Sequence, residues 1–336
     1  MTADFNPDIK VSRQHAINCS YSSWSRHFPK ENLIEAKVLS PIPSEFLGYL
    51  TADGIRLEDN PYEYIINNSD NDYSDWEDEQ QNNDSNNNQI SQIHSFQEFH
   101  ESVKSTILAL DNSVVPKLNW SAPKDAKWML INNSLECRDT NDIYLLLKSS
   151  DHIVDDIDNA FDGISEETDS FPFELVLKKF VDVNPALEFR VFIKDSNIVG
   201  ISSRDMNHYP YLALELPTVR STIELFFNQY GRSFSESSYI LDLYIPKPYT
   251  KVTIIDVNPF SPKAESYLYT WDELLSPLPQ DEFEFRIVPE NNTGSFATKE
   301  FSESQVPFDV VDAAVDTSSM VQLMREWRAL QEKDES

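Results

Sequence analysis

Two oxygen-bearing side chains interrupt an otherwise apolar β-forming stretch, VTIIDVNPFSP, which covers residues 252–262. Side chains alternate across a strand, so Asp256 and Asn258 point to the same face, about 6.5 Å apart. The earlier stretch YILDLYI ends six residues before this one, which favours an antiparallel hairpin. One register of that hairpin places Asp242 directly opposite Asp256.

A divalent cation would explain two carboxylates that face each other on such a sheet. Like charges in directly opposed positions destabilise a strand pair unless something neutralises them. Mg²⁺ takes oxygen ligands, usually one or two carboxylates together with phosphate oxygens. The alternative is structural: Asp242 lies at the solvent, Asp256 ends a strand, and Asn258 caps the turn before Pro259.

Basic side chains on neighbouring predicted elements supply cations for a polyphosphate beside such a metal. Each alone has an ordinary alternative, a surface lysine or a cross-strand salt bridge, but together they favour an anion site. The residues are Lys117 before the loop 119–122, Lys178 and Lys179 within ELVLKKFV, Arg190 on a strand face shared with Glu188, and Arg204 at the end of the next strand.

An adenine needs backbone hydrogen-bonding groups with apolar flanks, and the last three residues of ELVLKKFV, which leave the predicted strand, offer them. Lys179, Phe180 and Val181 could supply a carbonyl and an amide there. Other nucleotide and catalytic patterns are missing from the sequence. Its six glycines form neither GxGxxG nor GxxxxGK[ST], and it contains no HExxH, GxSxG or kinase-type catalytic loop. The sequence therefore favours nucleotide binding without a glycine-rich phosphate loop.

The charge of the chain excludes several classes of partner. Its 336 residues include 57 acidic and 27 basic side chains, which give a formal net charge of -30. Such a surface repels nucleic acid and anionic membranes, so we expect neither as a partner and favour a basic protein surface. Two cysteines without CxxC spacing, and no apolar run near about 18 residues, predict a cytoplasmic protein.

Strands and helices alternate with short hairpins, so we expect an α+β fold of two lobes. We divide the chain into an N-terminal lobe (1–66 and 93–171), a disordered acidic insertion (67–92), a C-terminal lobe (172–289) and a flexible tail (290–336). Periodicity predicts helices at 96–110 and at about 319–331, where Met320, Met324 and Trp327 share one face. The capping-box spacing of Ser221 and Glu224 predicts a further helix from Ser221 to about 229. Residues 40–55 are interpreted as a loop followed by a strand.

Several long motifs resemble the cell division cycle protein 123 family. They are PKLNWSAPKDAKWM, LLLKSSDHI, ELVLKKFV, EFRVFIKDSNIVGISSRD and IIDVNPF, and the similarity runs from about residue 19 to residue 275. The resemblance implies an ATP-grasp-like fold, with nucleotide and Mg²⁺ held between two lobes. It also implies an assembly chaperone for eukaryotic translation initiation factor 2, which binds the gamma subunit and promotes its joining with the alpha subunit.

The resemblance assigns roles to positions that match the family motifs. Lys117 and the loop residues Asn119, Trp120 and Ala122 would approach the phosphates, as would Arg190 and Arg204. Lys179, Phe180 and Val181 would form the adenine hinge, with Lys178 as the alternative lysine, and Glu188 would lie near the ribose. Asp242, Asp256 and Asn258 would hold Mg²⁺. Two alternatives stay open: an ATP-grasp carboxylate ligase or kinase, and a scaffold that retains only a vestigial site.

We also expect the gamma subunit to contact the N-terminal segment and the terminal helix. The chain has no glycine-rich lid for the phosphates, which favours nucleotide binding over turnover.

Overall fold

Two β-sheets organise the part of the protein that the computed structural model describes, which is residues 9, 11–52, 95–159, 173–276 and 283–290. The predicted acidic insertion and the predicted helix 319–331 lie outside these residues. Helices pack around the sheets, so the fold is α+β, as the sequence predicts. No helix in the described ranges combines the length and apolarity that crossing a membrane requires.

The smaller sheet contains three antiparallel strands, β1 (Ala36–Leu39), β2 (Val114–Lys117) and β3 (Leu175–Lys179). Their spatial order is β1-β3-β2. β3 follows the lobe boundary that we place near residue 172, but it pairs with two strands that precede that boundary. The sheet therefore joins distant parts of the chain.

The larger sheet contains five strands, β4 (Glu188–Lys194), β5 (Asn197–Ser203), β6 (Tyr239–Tyr244), β7 (Thr253–Pro259) and β8 (Phe285–Arg286). Their order is β7-β6-β4-β5-β8, and all pairs are antiparallel except β5 with β8. A two-residue turn joins β4 to β5, where Asp195 and Ser196 both adopt positive φ angles of 50° and 59°. That geometry matches the twist of a tight hairpin.

The α-helices of the described residues lie outside the sheets. They are α1 (Arg13–Asn18), α2 (Tyr21–Trp24), α3 (Ser44–Thr51), α4 (Gln97–Ala109), α5 (Thr140–Lys148), α6 (Asp151–Asp158), α7 (Leu212–Gln229) and α8 (Trp271–Leu275). Short 3-10 helices cover Lys30–Asn32, Lys124–Met129, Pro185–Leu187 and Gly231–Ser233.

The two largest hydrophobic clusters cover the sheets, and β3 contributes to both. A third, smaller cluster includes Phe192 of β4 and Ile240 of β6. One face of the larger sheet packs with α1, α2 and α7, through residues that include Ala16, Trp24, Phe189, Ile223, Leu241 and Ile254. The smaller sheet packs with α3, α4 and α5, through residues that include Phe46, Val103, Leu146 and Leu177. Val176 lies in the first cluster, whereas Leu175 and Leu177 lie in the second. By alternation, Lys178 shares the face of Val176, toward the larger sheet.

The helix predicted at 96–110 is confirmed by α4, but two other predictions are wrong. The strand predicted within 40–55 is the helix α3, because Phe46, Tyr49 and Leu50 bury one helical face. The helix predicted to begin at Ser221 begins at Leu212 instead. Ser221 does not cap it, since its hydroxyl donates to the Pro217 carbonyl one turn earlier.

Candidate nucleotide and metal site

The predicted register of the β6–β7 hairpin is confirmed: Asp242 lies directly opposite Asp256. The register shifts beside this pair, because Leu243 is opposite Ile254 and leaves Ile255 as an extra residue on β7. Such a bulge bends the strand and leaves a backbone group outside the ladder. Here the Ile255 carbonyl accepts a hydrogen bond of 2.7 Å from the ammonium of Lys178. The bulge therefore links the two sheets.

Asp242 forms a bidentate salt bridge with Arg190, which lies opposite it on β4. Arg190 Nε is 2.7 Å from Asp242 Oδ1, and Nη2 is 2.8 Å from Oδ2. Only 2% of Asp242 is exposed. Burial opposes ionisation, but the charges of Arg190 and Arg204 outweigh it and hold the pKa of Asp242 below its usual range. Asp242 is therefore an ionised, buried carboxylate.

Asp256 forms a one-point ion pair with Lys117, which is itself buried at the end of β2. Lys117 Nζ is 2.7 Å from Asp256 Oδ2, and the same ammonium donates to the Trp120 carbonyl. Asp256 Oδ1 accepts from the Val257 amide at 2.9 Å. Every carboxylate oxygen of Asp242 and Asp256 is thus hydrogen-bonded within the protein.

A second pair of charges extends this polar face of the larger sheet. Arg204 Nη1 is 2.7 Å from Glu188 Oε2, and Arg204 Nε is 3.8 Å from Asp242 Oδ2. Tyr267 covers both arginines, with its ring centre 4.8 Å from the Arg190 guanidinium and 5.8 Å from that of Arg204. The Tyr267 φ of 51° is unusual for a side chain of this size. The structure therefore brings Glu188, Arg190, Arg204 and Asp242 together.

The two adjacent lysines of β3 point in opposite directions. Lys178 is buried and reaches β7, as described above. Burial lowers its pKa to about 8; Asp256 opposes this shift, and the nearby Lys117 adds to it. The Lys179 side chain forms an exposed ion pair with Asp111. Of the two lysines, Lys178 is the one whose side chain joins the charged cluster.

The proposed adenine hinge lies at the end of β3. The Lys179 amide donates to the Glu35 carbonyl at 2.8 Å, and the Phe180 amide donates to Ser113 at the same distance. Val181 follows and is 44% exposed. Both amides are therefore already bonded within the protein, so a hinge role for residues 179–181 would use their other backbone groups, and it stays a prediction.

The loop 119–122 is fixed by bonds to several elements. Asn119 Oδ1 accepts from the Glu174 amide at 3.0 Å, and the indole of Trp120 donates to the Ala16 carbonyl at 2.7 Å. The Trp120 ring therefore packs into the core, and its carbonyl faces Lys117. The Ala122 carbonyl accepts from the Lys124 amide at 2.8 Å.

Sequence reasoning missed Asp156, which anchors this loop from α6. Its Oδ2 accepts from the Ser121 amide at 2.8 Å, and its Oδ1 accepts from the Ser121 hydroxyl at 2.9 Å. Burial raises the pKa of Asp156 to about 6, although the bonds from Ser121 and the charge of Lys117 oppose that shift. Its signal in the sequence is an aspartate three residues after the buried Ile153, on the apolar side of a helix. Tyr267 was also missed, and its loop position gives no comparable signal.

The donors at this face suit Mg²⁺. Asp242 and Asp256 lie opposite each other there, and Asn258 lies two residues beyond Asp256, opposite Ile240. Among the described residues no group of three or more His, Cys, Asp or Glu side chains could hold a metal ion. A cation bound by Asp242, Asp256 and Asn258 would therefore complete its shell with oxygens from outside the protein, as Mg²⁺ commonly does with phosphates and water.

The fold and the site together define an α+β protein whose larger sheet presents a face of paired carboxylates and basic side chains. The chain belongs to the D123 family, that of cell division cycle protein 123, and the family model matches residues 24–314.

Relatives of nearly equal length support this assignment. A Lodderomyces elongisporus protein named translation initiation factor eIF2 assembly protein is 40% identical, over 97% of this chain and 94% of its own length. Cell division cycle protein 123 of Candida glabrata is 39% identical, over 98% of this chain and 96% of its own. The solved structure of Cdc123 from Schizosaccharomyces pombe has a TM-score of 0.68 at 30% identity and covers 84% of this chain and 100% of that one.

Proposed function

We propose that this protein is an ATP- and Mg²⁺-binding assembly chaperone for eukaryotic translation initiation factor 2. It binds the gamma subunit in the cytoplasm and promotes its joining with the alpha subunit, which supports translation initiation and cell cycle progression. The observation that carries the nucleotide part is the face on which Lys117 pairs with Asp256 and Arg190 pairs with Asp242. The names of the relatives support the partner.

The proposed site uses both members of each ion pair. Asp242, Asp256 and Asn258 would hold Mg²⁺, which neutralises phosphate charge when bound. Lys117 would then turn from Asp256 to a phosphate, a change that needs little movement because the charges are already adjacent. Arg190 would direct its positive charge at the phosphates while it stays paired with Asp242. Arg204 would add a further positive charge to the phosphates.

The remaining contacts orient the nucleotide. Glu188, paired with Arg204, would lie near the ribose, and the backbone of residues 179–181 would meet the adenine. Asn119, Trp120 and Ala122 would contribute through a loop whose shape the protein already fixes. Such preorganisation reduces the ordering that binding requires.

The nucleotide is proposed to act as a bound ligand rather than as a substrate that turns over. The six glycines of the chain form no cluster that could close over the phosphates. Binding of Mg-ATP would fix the position of the residues that join the two sheets. It would thereby favour the conformation of the protein that binds the gamma subunit.

The partner surface is proposed to include the N-terminal segment and the terminal helix with Met320, Met324 and Trp327. The acidic charge of the chain favours a basic partner surface. Deleting residues 317–336 should weaken binding to the gamma subunit. Unchanged affinity after this deletion would remove the terminal helix from the interface.

The test is the affinity of the full chain for purified gamma subunit with and without Mg-ATP. Wild type should bind more tightly with Mg-ATP, and should then raise the yield of gamma–alpha complex. The double variant Asp256→Ala, Asn258→Ala should lose the nucleotide effect. Equal affinities of wild type and double variant in the presence of Mg-ATP would contradict the proposed role of the nucleotide.

A further inference from the structure

We infer that Lys117 makes this site specific for a metal–nucleotide complex and excludes a free divalent cation. The inference rests on the proposed function, since it concerns how the proposed Mg²⁺ site is guarded before the nucleotide arrives. It follows from where the ammonium of Lys117 lies and from what holds it there.

The ammonium of Lys117 lies beside Asp256, where the proposed metal ion would bind. Its ammonium is 2.7 Å from Asp256 Oδ2 and also donates to the Trp120 carbonyl. Only 2% of Lys117 is exposed, so the charge cannot simply turn away into water. A divalent cation that approaches Asp256 alone would therefore meet a fixed positive charge at hydrogen-bond distance from its ligand.

The oxygens of Asp242 and Asp156 already accept hydrogen bonds from other groups. Asp242 uses both oxygens to bind Arg190. Asp156 is close enough to Lys117 for their charges to interact, but both of its oxygens accept bonds from Ser121. Without an added anion, metal binding would leave Lys117 as a buried charge that has lost its counter-ion, which is unfavourable.

A nucleotide removes this obstacle because its phosphates can receive the ammonium. Asp256 is then the carboxylate that exchanges its ammonium partner for the metal ion. It makes a salt bridge through only one oxygen, and 17% of its side chain is exposed. Asp242, in contrast, keeps a bidentate salt bridge with Arg190, and only 2% of its side chain is exposed. Metal and nucleotide should therefore each strengthen the binding of the other, and by the same factor.

The experiment titrates the full chain with Mn²⁺ in the absence of nucleotide and follows free Mn²⁺ by electron paramagnetic resonance. Three variants are compared with wild type: Lys117→Gln, the double variant Lys117→Gln, Asp256→Asn, and Lys194→Gln. Lys194 is a matched control, a part-buried lysine on β4 that donates to the Leu275 carbonyl. The acidic chain binds some Mn²⁺ elsewhere, so the relevant site is the one that Asp256→Asn abolishes.

Lys117→Gln should gain an Asp256-dependent Mn²⁺ site. Its affinity for Mn²⁺ should be at least about tenfold higher than that of any such site in wild type, because coupling energies of close charge pairs reach about 1.5 kcal/mol or more. The double variant should lose it, and Lys194→Gln should match wild type. The inference is overturned if wild type binds nucleotide-free Mn²⁺ at an Asp256-dependent site as tightly as Lys117→Gln does. It is also overturned if folded Lys117→Gln gains no site.

A second comparison does not depend on the Lys117 variant. The single variant Asp256→Asn should bind nucleotide-free Mn²⁺ as wild type does, whereas a clear loss of Mn²⁺ affinity would contradict the inference. Failure of the proposed function has a different signature: wild type would bind no Mg-ATP, whatever the Mn²⁺ titrations show.

Discussion

Arg190 and Asp242 lie opposite each other on β4 and β6, and two hydrogen bonds of 2.7 and 2.8 Å join them. The pair is almost entirely buried, with 6% of Arg190 and 2% of Asp242 exposed. Two buried charges on the inner strands of a sheet are stabilised by each other, so neither can be removed alone without a large effect.

Arg190→Met should destabilise the protein by about 3–5 kcal/mol, because it leaves Asp242 charged and buried without its main partner. Arg204, 3.8 Å away, keeps the effect toward the lower end of that range. Urea denaturation at pH 7 measures it. The control is Arg220→Met, which breaks a half-exposed pair with Glu224 and should change stability by less than about 1 kcal/mol. Equal effects of the two substitutions would contradict this account.

Binding of Mg-ATP should be accompanied by proton uptake near pH 8. The pKa of Lys178 is about 8 in the nucleotide-free protein, so about half of these side chains are neutral at that pH. A nearby phosphate favours the charged form, raises this pKa and makes affinity increase as pH falls toward 8. Calorimetry in two buffers with different ionisation enthalpies measures the uptake. Lys178→Met should abolish it and Lys194→Met should retain it; the same uptake in both variants would exclude Lys178 as its source.

Asp156 should make the protein less stable as pH rises from about 4 to 6. Its folded pKa of about 6 lies above the ordinary value of 3.8, so the folded state binds more protons than the unfolded state in that window. Asp156→Asn removes this dependence, and the variant should gain up to about 3 kcal/mol on wild type between pH 4 and pH 7. Urea denaturation at several pH values measures it. Parallel pH profiles for the two proteins would show that Asp156 titrates normally.

Gly200 allows close packing of a strand against a buried ring. A Cβ at this position would lie 2.7 Å from Tyr269 Cζ, and the Tyr269 hydroxyl is fixed by a 2.6 Å bond to the Glu284 carbonyl. Gly200→Ala should therefore destabilise by about 1–3 kcal/mol. Gly48→Ala is the matched control: nothing lies within 4 Å of its added Cβ, and it should stabilise α3 by up to about 1 kcal/mol. Thermal denaturation compares the two, and a neutral Gly200→Ala would show that the Tyr269 ring moves freely.

The hairpin that carries Asp242 and Asp256 could be predicted from the sequence because strand alternation and a short connection leave few registers. The same alternation predicts that Asp256 and Asn258 share one face of β7, whereas a role of that face in binding Mg²⁺ or nucleotide stays a prediction. These are local rules, and they suffice wherever the partner strand is also the next strand in the chain.

Predictions that depended on distant contacts were less successful. Lys178 and Lys179 are equivalent in sequence, and only the position of β3 between two clusters decides which of them is buried. The start of α7 was missed because the spacing of Ser221 and Glu224 matches a capping box, whereas the helix begins at Leu212 and continues through Pro217. Asp156 anchors a loop 35 residues away, a contact that no local pattern encodes.

The central claim is that Mg-ATP binds at the face formed by Asp242, Asp256 and their basic partners. Calorimetric titration of the full chain with Mg-ATP tests it most directly. Wild type should show saturable binding with one nucleotide per chain, and Asp256→Ala should weaken it by about thirtyfold or more, equivalent to about 2 kcal/mol. No binding by wild type, or equal affinities of a folded Asp256→Ala variant and wild type, would contradict the account.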